Sequence, residues 1–450
     1  MTTQARSAQP AVLPRLAQAL VQSFQQPDIR KRLLFTFFIL VVFRFVAHVP
    51  IPGVDQSALS EAFKGNAILN YMNLFSGGAL RKLSVASMGV YPYITATIVM
   101  QLLIPIVPSL QNLSKEGEQG RNKITLYTYW LAVPLAIVQG YSQLIILQRS
   151  SSAGASVISH IGLTGSDLVP TLAAIASMVA GTMFLVWLGE LITENGIGNG
   201  ISLIIFGGIV AGMPTLLPSI ANSSIGFAGL IILVLLVTLL VAMIVFFYEA
   251  QRRVPVQYAR SLFRGGRMYR QSGQTHIPLR VNSAGMIPLI FAYALVMFPA
   301  QFAQALENST NKVIHNVAQF VAGSLSPGNV PYYVIVFFLV VGFAFFYTLV
   351  VFQQQNLAEN LQRQGGFVPG IRPGRPTQDY IIRVLVRITW AGAIFLGVVA
   401  IIPYFATRFA NTQALTISST GLLIVVGVVL DTMKQLEAQL MMRNYAGFIR

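Results

Sequence analysis

The sequence predicts an all-α membrane protein with ten spans, and three observations carry that reading. Hydrophobic residues make up 54% of the 450 and charged residues only 10%, too little polar surface to cover a soluble core of this size. The apolar residues are gathered into ten membrane-length runs. The basic residues are sorted as well. With residues 1–32 taken as cytoplasmic and Arg383, at the edge of its run, counted with the preceding loop, 22 of the 30 Lys and Arg fall on the inner side and six on the outer, while Arg44 and Arg387 lie within apolar runs. By the positive-inside bias, both termini are then cytoplasmic.

In chain order, Val12, Leu16, Ala19, Leu20 and Phe24 recur at helical spacing within segment 1–32, the pattern of an interfacial amphipathic helix. Arg30, Lys31 and Arg32 before the first span imitate a secretory signal, but the preceding polar stretch is too long for one and no small-residue cleavage site follows. The spans are expected at 33–49, 86–107, 124–147, 169–191, 201–218, 226–248, 284–305, 331–352, 382–403 and 415–433. Segment 70–85 is too short and polar to cross a bilayer and too apolar for an ordinary loop. A half-helix shielded by protein fits it. The second span contains Tyr91-Pro92-Tyr93 and Gln101, and the fifth carries Gly207, Gly208 and Gly212; small and polar residues inside spans mark close helix packing or a lined cavity.

Between the sixth and seventh spans, loop 249–283 holds seven Arg, and Gly265-Gly266 marks a turn in what reads as a β-rich or irregular cytoplasmic protrusion. A second basic loop runs over 353–381, and a cytoplasmic tail is expected at 434–450. The spans divide into an N-terminal half, 33–218, and a C-terminal half, 219–433. Five spans each would give the halves opposite orientation and permit an inverted repeat, although the two halves show no convincing sequence match.

No catalytic constellation is visible. The chain has no cysteine, its four histidines are scattered, and H-E-x-x-H, G-x-S-x-G and the phosphate-binding P-loop pattern are missing. The glycine-rich run 196–200 lacks the following Lys of a nucleotide site. The sequence therefore points to no enzyme activity, no cofactor and no metal. Ionisable residues deep in spans, the usual mark of ion coupling, are few. Glu190, Glu194, Glu249 and Asp431 fall at cytoplasmic ends of spans, with Arg383 and Arg387 near theirs. Arg44 lies deeper, either snorkelling outward or paired with a backbone carbonyl. The net charge of +16 suits anionic lipid and an acidic cytoplasmic partner.

Five motifs then carry a resemblance that covers essentially the whole chain. They are Pro50-Ile51-Pro52-Gly53; Phe75-Ser76-Gly77-Gly78-Ala79-Leu80; Lys115-Glu116-Gly117-Glu118 with Gly120-Arg121; Gly196-Ile197-Gly198-Asn199-Gly200-Ile201-Ser202; and Phe367-Val368-Pro369-Gly370-Ile371-Arg372-Pro373-Gly374. In that order, at loop and span edges, the chain resembles the SecY family of bacterial protein-translocation channels. The resemblance implies an hourglass of ten helices in two halves that open like a clam. It makes segment 70–85 a plug, with Asn70, Phe75, Ser76, Gly77, Gly78, Ala79 and Leu80. It assigns a pore ring to Val90, Ile94, Ile201, Ile205, Ile290 and Ile424, an aliphatic collar able to dewet and hold back ions.

A lateral gate is implied between the second and third spans and the seventh and eighth, with Thr95, Gln101 and Asn282 as polar lining. Arg252, Arg253, Arg260, Arg264, Arg267 and Arg270, with Arg372 in the second loop, resemble the family's docking sites for the ribosome or the SecA ATPase; Arg forks suit both phosphate and carboxylate. Implied partners also include small SecE- and SecG-like membrane subunits, signal peptides and nascent chains, at a bacterial cytoplasmic (inner) membrane. One departure is Asn195, where family members commonly carry a basic residue. The competing reading is an inverted-repeat secondary transporter of a small solute, which calls for a charged or strongly polar midplane cluster; a membrane enzyme ranks third.

Overall fold

Each of the ten apolar runs is occupied by a helix. The structure, a computed structural model, describes residues 26–63, 69–70, 72–73, 76–150, 157, 161–162, 167–221, 227–264, 267–307, 311–326, 329–355, 357–410 and 413–446. The amphipathic pattern at 12–24 and Phe75 lie outside these residues. The first span is Pro27–Val46, the second Tyr91–Leu103, the third Glu118–Ser150, the fourth Leu168–Asn195 and the fifth Gly200–Ala221. The sixth to tenth are Phe227–Glu249, Ile287–Leu306, Val330–Gln355, Arg375–Ala410 and Gln413–Ala446. Among the described residues, the third, fourth, seventh, eighth and ninth are long and apolar enough on their own to cross a membrane.

The second span departs most from expectation. Turns occupy 86–90, and the helix proper has only 13 residues, about 20 Å of rise. It then bends by 99° into the amphipathic helix Pro108–Lys115, because Pro108 cannot continue the preceding hydrogen-bond ladder. So short a helix is tolerated in a bilayer only when protein surrounds it, and Ile94, Ala96 and Ile98 are buried. The helix of the tenth span runs on through most of the expected tail, to Ala446. Leu436 and Leu440 pack there with Ile29 of the first span and Ile197 of the glycine-rich turn, so the tail is a packed helix end. That turn is a structural joint. Asn199 Oδ1 accepts from Ser202 N at the start of the fifth span, and Ile197 N donates to Thr36 Oγ1 of the first.

Between the sixth and seventh spans, β1 (Gln251–Arg264) and β2 (Arg267–Arg280) form an antiparallel hairpin in which Arg264 pairs with Arg267. Only residues 265–266 connect them, as the Gly-Gly turn predicts. Fourteen residues per strand give an arm about 45 Å long. A short third strand, β3 (Gly366–Phe367), joins β1 through Gln257↔Phe367 and Tyr258↔Gly366. The second basic loop is thereby tied to the first over a small apolar core of Val254, Val256, Leu279, Val368, Ile381 and Leu385. Helix Lys312–Ser324, between the seventh and eighth spans, was not anticipated. It presents Val313, Val317 and Phe320 outward.

Candidate functional site

Aliphatic residues from both halves meet in one apolar cluster. Val90 and Ile94 of the second span region, Ile205 of the fifth, Ile290 of the seventh and Ile424 of the tenth all belong to it, and none is more than 6% exposed. Ile201 is half-buried against the same cluster and leans on Gly189 of the fourth span. Branched side chains from four helices are thus gathered into one buried apolar cluster.

Segment 70–85 lies against this cluster. It is helical at 69–70 and 72–73, turns at 76–78 and ends in one 3-10 turn, Leu80–Lys82. The turn is built by Gly77 and Gly78, at φ 68° and 84°, where a side chain would be strained. Ala79 is fully buried within the same apolar cluster. Gly77 also meets Gly208 of the fifth span backbone to backbone: a Cβ on either would stand 2.6 or 2.5 Å from the other's Cα. Arg44 settles its alternatives here, since its Nη1 donates to Gly77 O at 2.9 Å. Ser76 Oγ accepts from Leu80 N, and Asn70 Nδ2 donates to Phe63 O. The far end is fastened to the Pro50–Gly53 motif, with Ile51 N donating to Leu83 O and Val85 N to Val49 O.

The three polar residues expected at a lateral gate are spread over three sites. Thr95 is buried and donates to Tyr91 O, while Gln139 Nε2 of the third span approaches Thr95 Oγ1 at 3.4 Å. Gln101 lines a 540 Å³ cleft between the second, third and eighth spans, with Thr97, Arg121, Thr128 and Tyr347. Asn282 lies in a separate 190 Å³ cleft with Tyr248, Arg280 and Asp431. Tyr347 borders both clefts. Asn282 is separated from the other two because the seventh helix starts only at Ile287, which leaves it in the turn after β2. Beside the Asp431 cleft, Lys434 bonds Glu249 at 2.9 Å and Tyr248 O at 3.0 Å, tying the sixth span to the tenth.

Sequence reasoning missed the strongest polar cluster. Ser87, Tyr91, Gln139, Gln143 and Gln301 surround a cavity of about 20 Å³ with Met72, Met88 and Met297, room for roughly one water. Ser87 Oγ, Gln139 Oε1, both polar atoms of Gln143, and Gln301 Oε1 have no protein partner. Tyr91 OH donates to Ala294 O of the seventh span at 2.9 Å. The available signal was two glutamines four apart, Gln139 and Gln143, on one face of the third span.

The two basic loops are joined through the pairing of β3 with β1. Arg252, Arg253 and Arg372 are exposed; Arg260, Arg264, Arg267 and Arg270 lie along the hairpin. Arg372 stands between Gly370 and Gly374, both at positive φ, and its carbonyl accepts from Thr377 Oγ1 at 2.8 Å. The side chain is thus presented on a fixed turn. Among the described residues, no three of His, Asp or Glu stand together as a metal site.

The family model SecY matches residues 84–433. Over 448 residues the chain is 43% identical to the protein translocase subunit SecY of Streptomyces coelicolor, covering 96% of this chain and 99% of that protein. The Halalkalibacterium halodurans subunit is 42% identical over 439 residues, with 95% and 98% coverage. In fold, the chain is similar to a solved protein-conducting channel, with a TM-score of 0.61 and 15% identity over 95% of this chain and 97% of that one. It is also similar to Sec61 in a canine ribosome–channel complex, with a TM-score of 0.55, 15% identity and the same coverage. A family model that spans most of the chain and relatives above 40% identity along nearly all of it make this protein a member of the SecY family of translocase subunits.

Proposed function

We propose that this chain forms the pore of a protein-conducting channel in a bacterial inner membrane, with both termini cytoplasmic. Unfolded secretory polypeptides pass through the collar of Val90, Ile94, Ile201, Ile205, Ile290 and Ile424. Segment 70–85 is the plug that seals it, and apolar segments leave sideways between the second and third spans and the seventh and eighth. The single observation that carries this reading is the convergence of aliphatic residues from both halves into one buried apolar cluster that includes Ala79. A small-solute transporter would need a charged or strongly polar cluster in that place, and family membership gives that alternative no support.

The joined basic loops are the docking face for cytoplasmic partners, ribosome or SecA, and their arginines suit rRNA phosphates and acidic protein surfaces alike. SecE- and SecG-like subunits complete the assembly, and signal peptides enter at the 540 Å³ cleft. The channel reading is tested by a stalled translocating chain carrying one cysteine, against a cysteine at position 290 in a protein that has none of its own. A disulfide between the two is the expected result. Labelling of that site by lipid-soluble reagents alone would mean that Ile290 faces the bilayer.

A further inference from the structure

Tyr91 stands in the first turn of the second span, and its hydroxyl reaches the seventh span, 203 positions away, at the carbonyl of Ala294. The bond joins the N-terminal half to the C-terminal half. Tyr91 is 8% exposed and Ala294 2%, so the bond is shielded from bulk water. The acceptor lies in a turn that is one hydrogen bond short: Pro299 sits inside the seventh helix and has no N–H to give to the carbonyl four residues earlier. Beside that gap, Ala294 O has a second lone pair beyond its helical bond, and the hydroxyl takes it.

The surroundings distinguish this contact from ordinary packing. Tyr91 borders the 20 Å³ cavity with Ser87, Gln139, Gln143 and Gln301, whose unpartnered polar atoms do little to hold the two spans together. The tyrosine makes a short, well-placed hydrogen bond at that seam. When the spans part, its hydroxyl finds water or a glutamine, while Ala294 keeps its helical bond. Breaking the contact is therefore reversible and of modest cost.

We propose that Tyr91 is a positioning residue that clasps the second span to the seventh, and that this bond sets how apolar a segment must be to open the gate. The proposal rests on the lateral-gate reading above. Substitution Tyr91→Phe keeps the ring and its packing and deletes the O–H alone. A neutral hydrogen bond corresponds to a roughly two- to tenfold shift in an equilibrium, and the shift here is toward the open gate.

The test uses the full chain assembled with its partner subunits and two precursors, one with a normal signal and one with a shortened apolar core. The readout is the ratio of their transport rates, weak over normal. Y91F should raise that ratio roughly two- to tenfold, whereas a merely structural defect would slow both precursors together. The matched control is Y293F, which deletes a hydroxyl bonded to Ala400 O within the C-terminal half; its ratio should stay at the wild-type value. A photoreactive residue at Met100, in the 540 Å³ cleft, separately reports the gate by crosslinking to the signal peptide. Crosslinking with a Y91F ratio at or below wild type overturns the clasp alone. Failure to crosslink overturns the gate reading, and the clasp with it.

Discussion

The seventh span has two unlike faces. Toward its own half it is dry and aromatic. Phe291 meets Phe343 and Tyr347 edge-on, at 6.0 and 6.4 Å, and Tyr293 OH donates to Ala400 O of the ninth span at 3.3 Å. Toward the other half it is polar and imperfectly filled, with Gln301 and Met297 bordering the cavity and Tyr91 making its bond to Ala294. The difference shows where the molecule can part. Separating the dry face exposes well-packed aromatic surface and forfeits the dispersion attraction across it. Separating the polar face admits water to atoms that already lack partners, each left at a cost of about 1–3 kcal/mol while buried. On the proposed lateral-gate reading, the unpartnered polar atoms therefore lie at the seam that opens.

The largest expected effect lies on the dry face. Phe291→Ala should remove about 3–5 kcal/mol of packing and appear as a lower thermal unfolding midpoint of the purified complex. A selective gain in transport of weak signals, with no loss of stability, would break the contrast between the faces.

Next comes segment 70–85, the proposed plug, which belongs to the polar-seamed half yet is held by a backbone contact between Gly77 and Gly208 and one charged donor. Arg44→Met deletes the bond to Gly77 O, of a kind worth about 1.5–3 kcal/mol. The plug should then leave its seat more often, seen as raised ion conductance in planar bilayers. Unchanged conductance would assign the sealing to the glycine contact and the aliphatic collar.

The smallest change makes the polar face resemble the dry one. Gln143→Leu replaces two unpartnered atoms with apolar ones and should favour the closed gate by about 1–3 kcal/mol, slowing transport of a weak-signal precursor. Faster transport would mean that the glutamine holds the gate shut, which would reverse the argument about strain.

The sequence alone determined the ten apolar runs, the sorting of basic charge, the bend at Gly77-Gly78 and the place where β1 gives way to β2. In lipid, a helix must satisfy its own backbone, and loop charge is read locally, so these features depend only on neighbouring residues. Motif matches singled out six aliphatic positions that the structure gathers into or against one buried cluster. The tertiary structure decided the rest. Gln139, Gln143, Gln301 and Ser87 are each an unremarked polar residue in an apolar run until three spans bring them to one cavity. Arg44 could snorkel outward or meet a backbone carbonyl until Gly77 came beside it. Loops a hundred residues apart became one sheet through two residues of β3. The tail became helix through Leu436 and Leu440 packing on Ile29 and Ile197. In each case the decisive partner lies far along the chain, and side-chain periodicity, which reports which face of a helix is apolar, carries no information about which distant helix that face will meet.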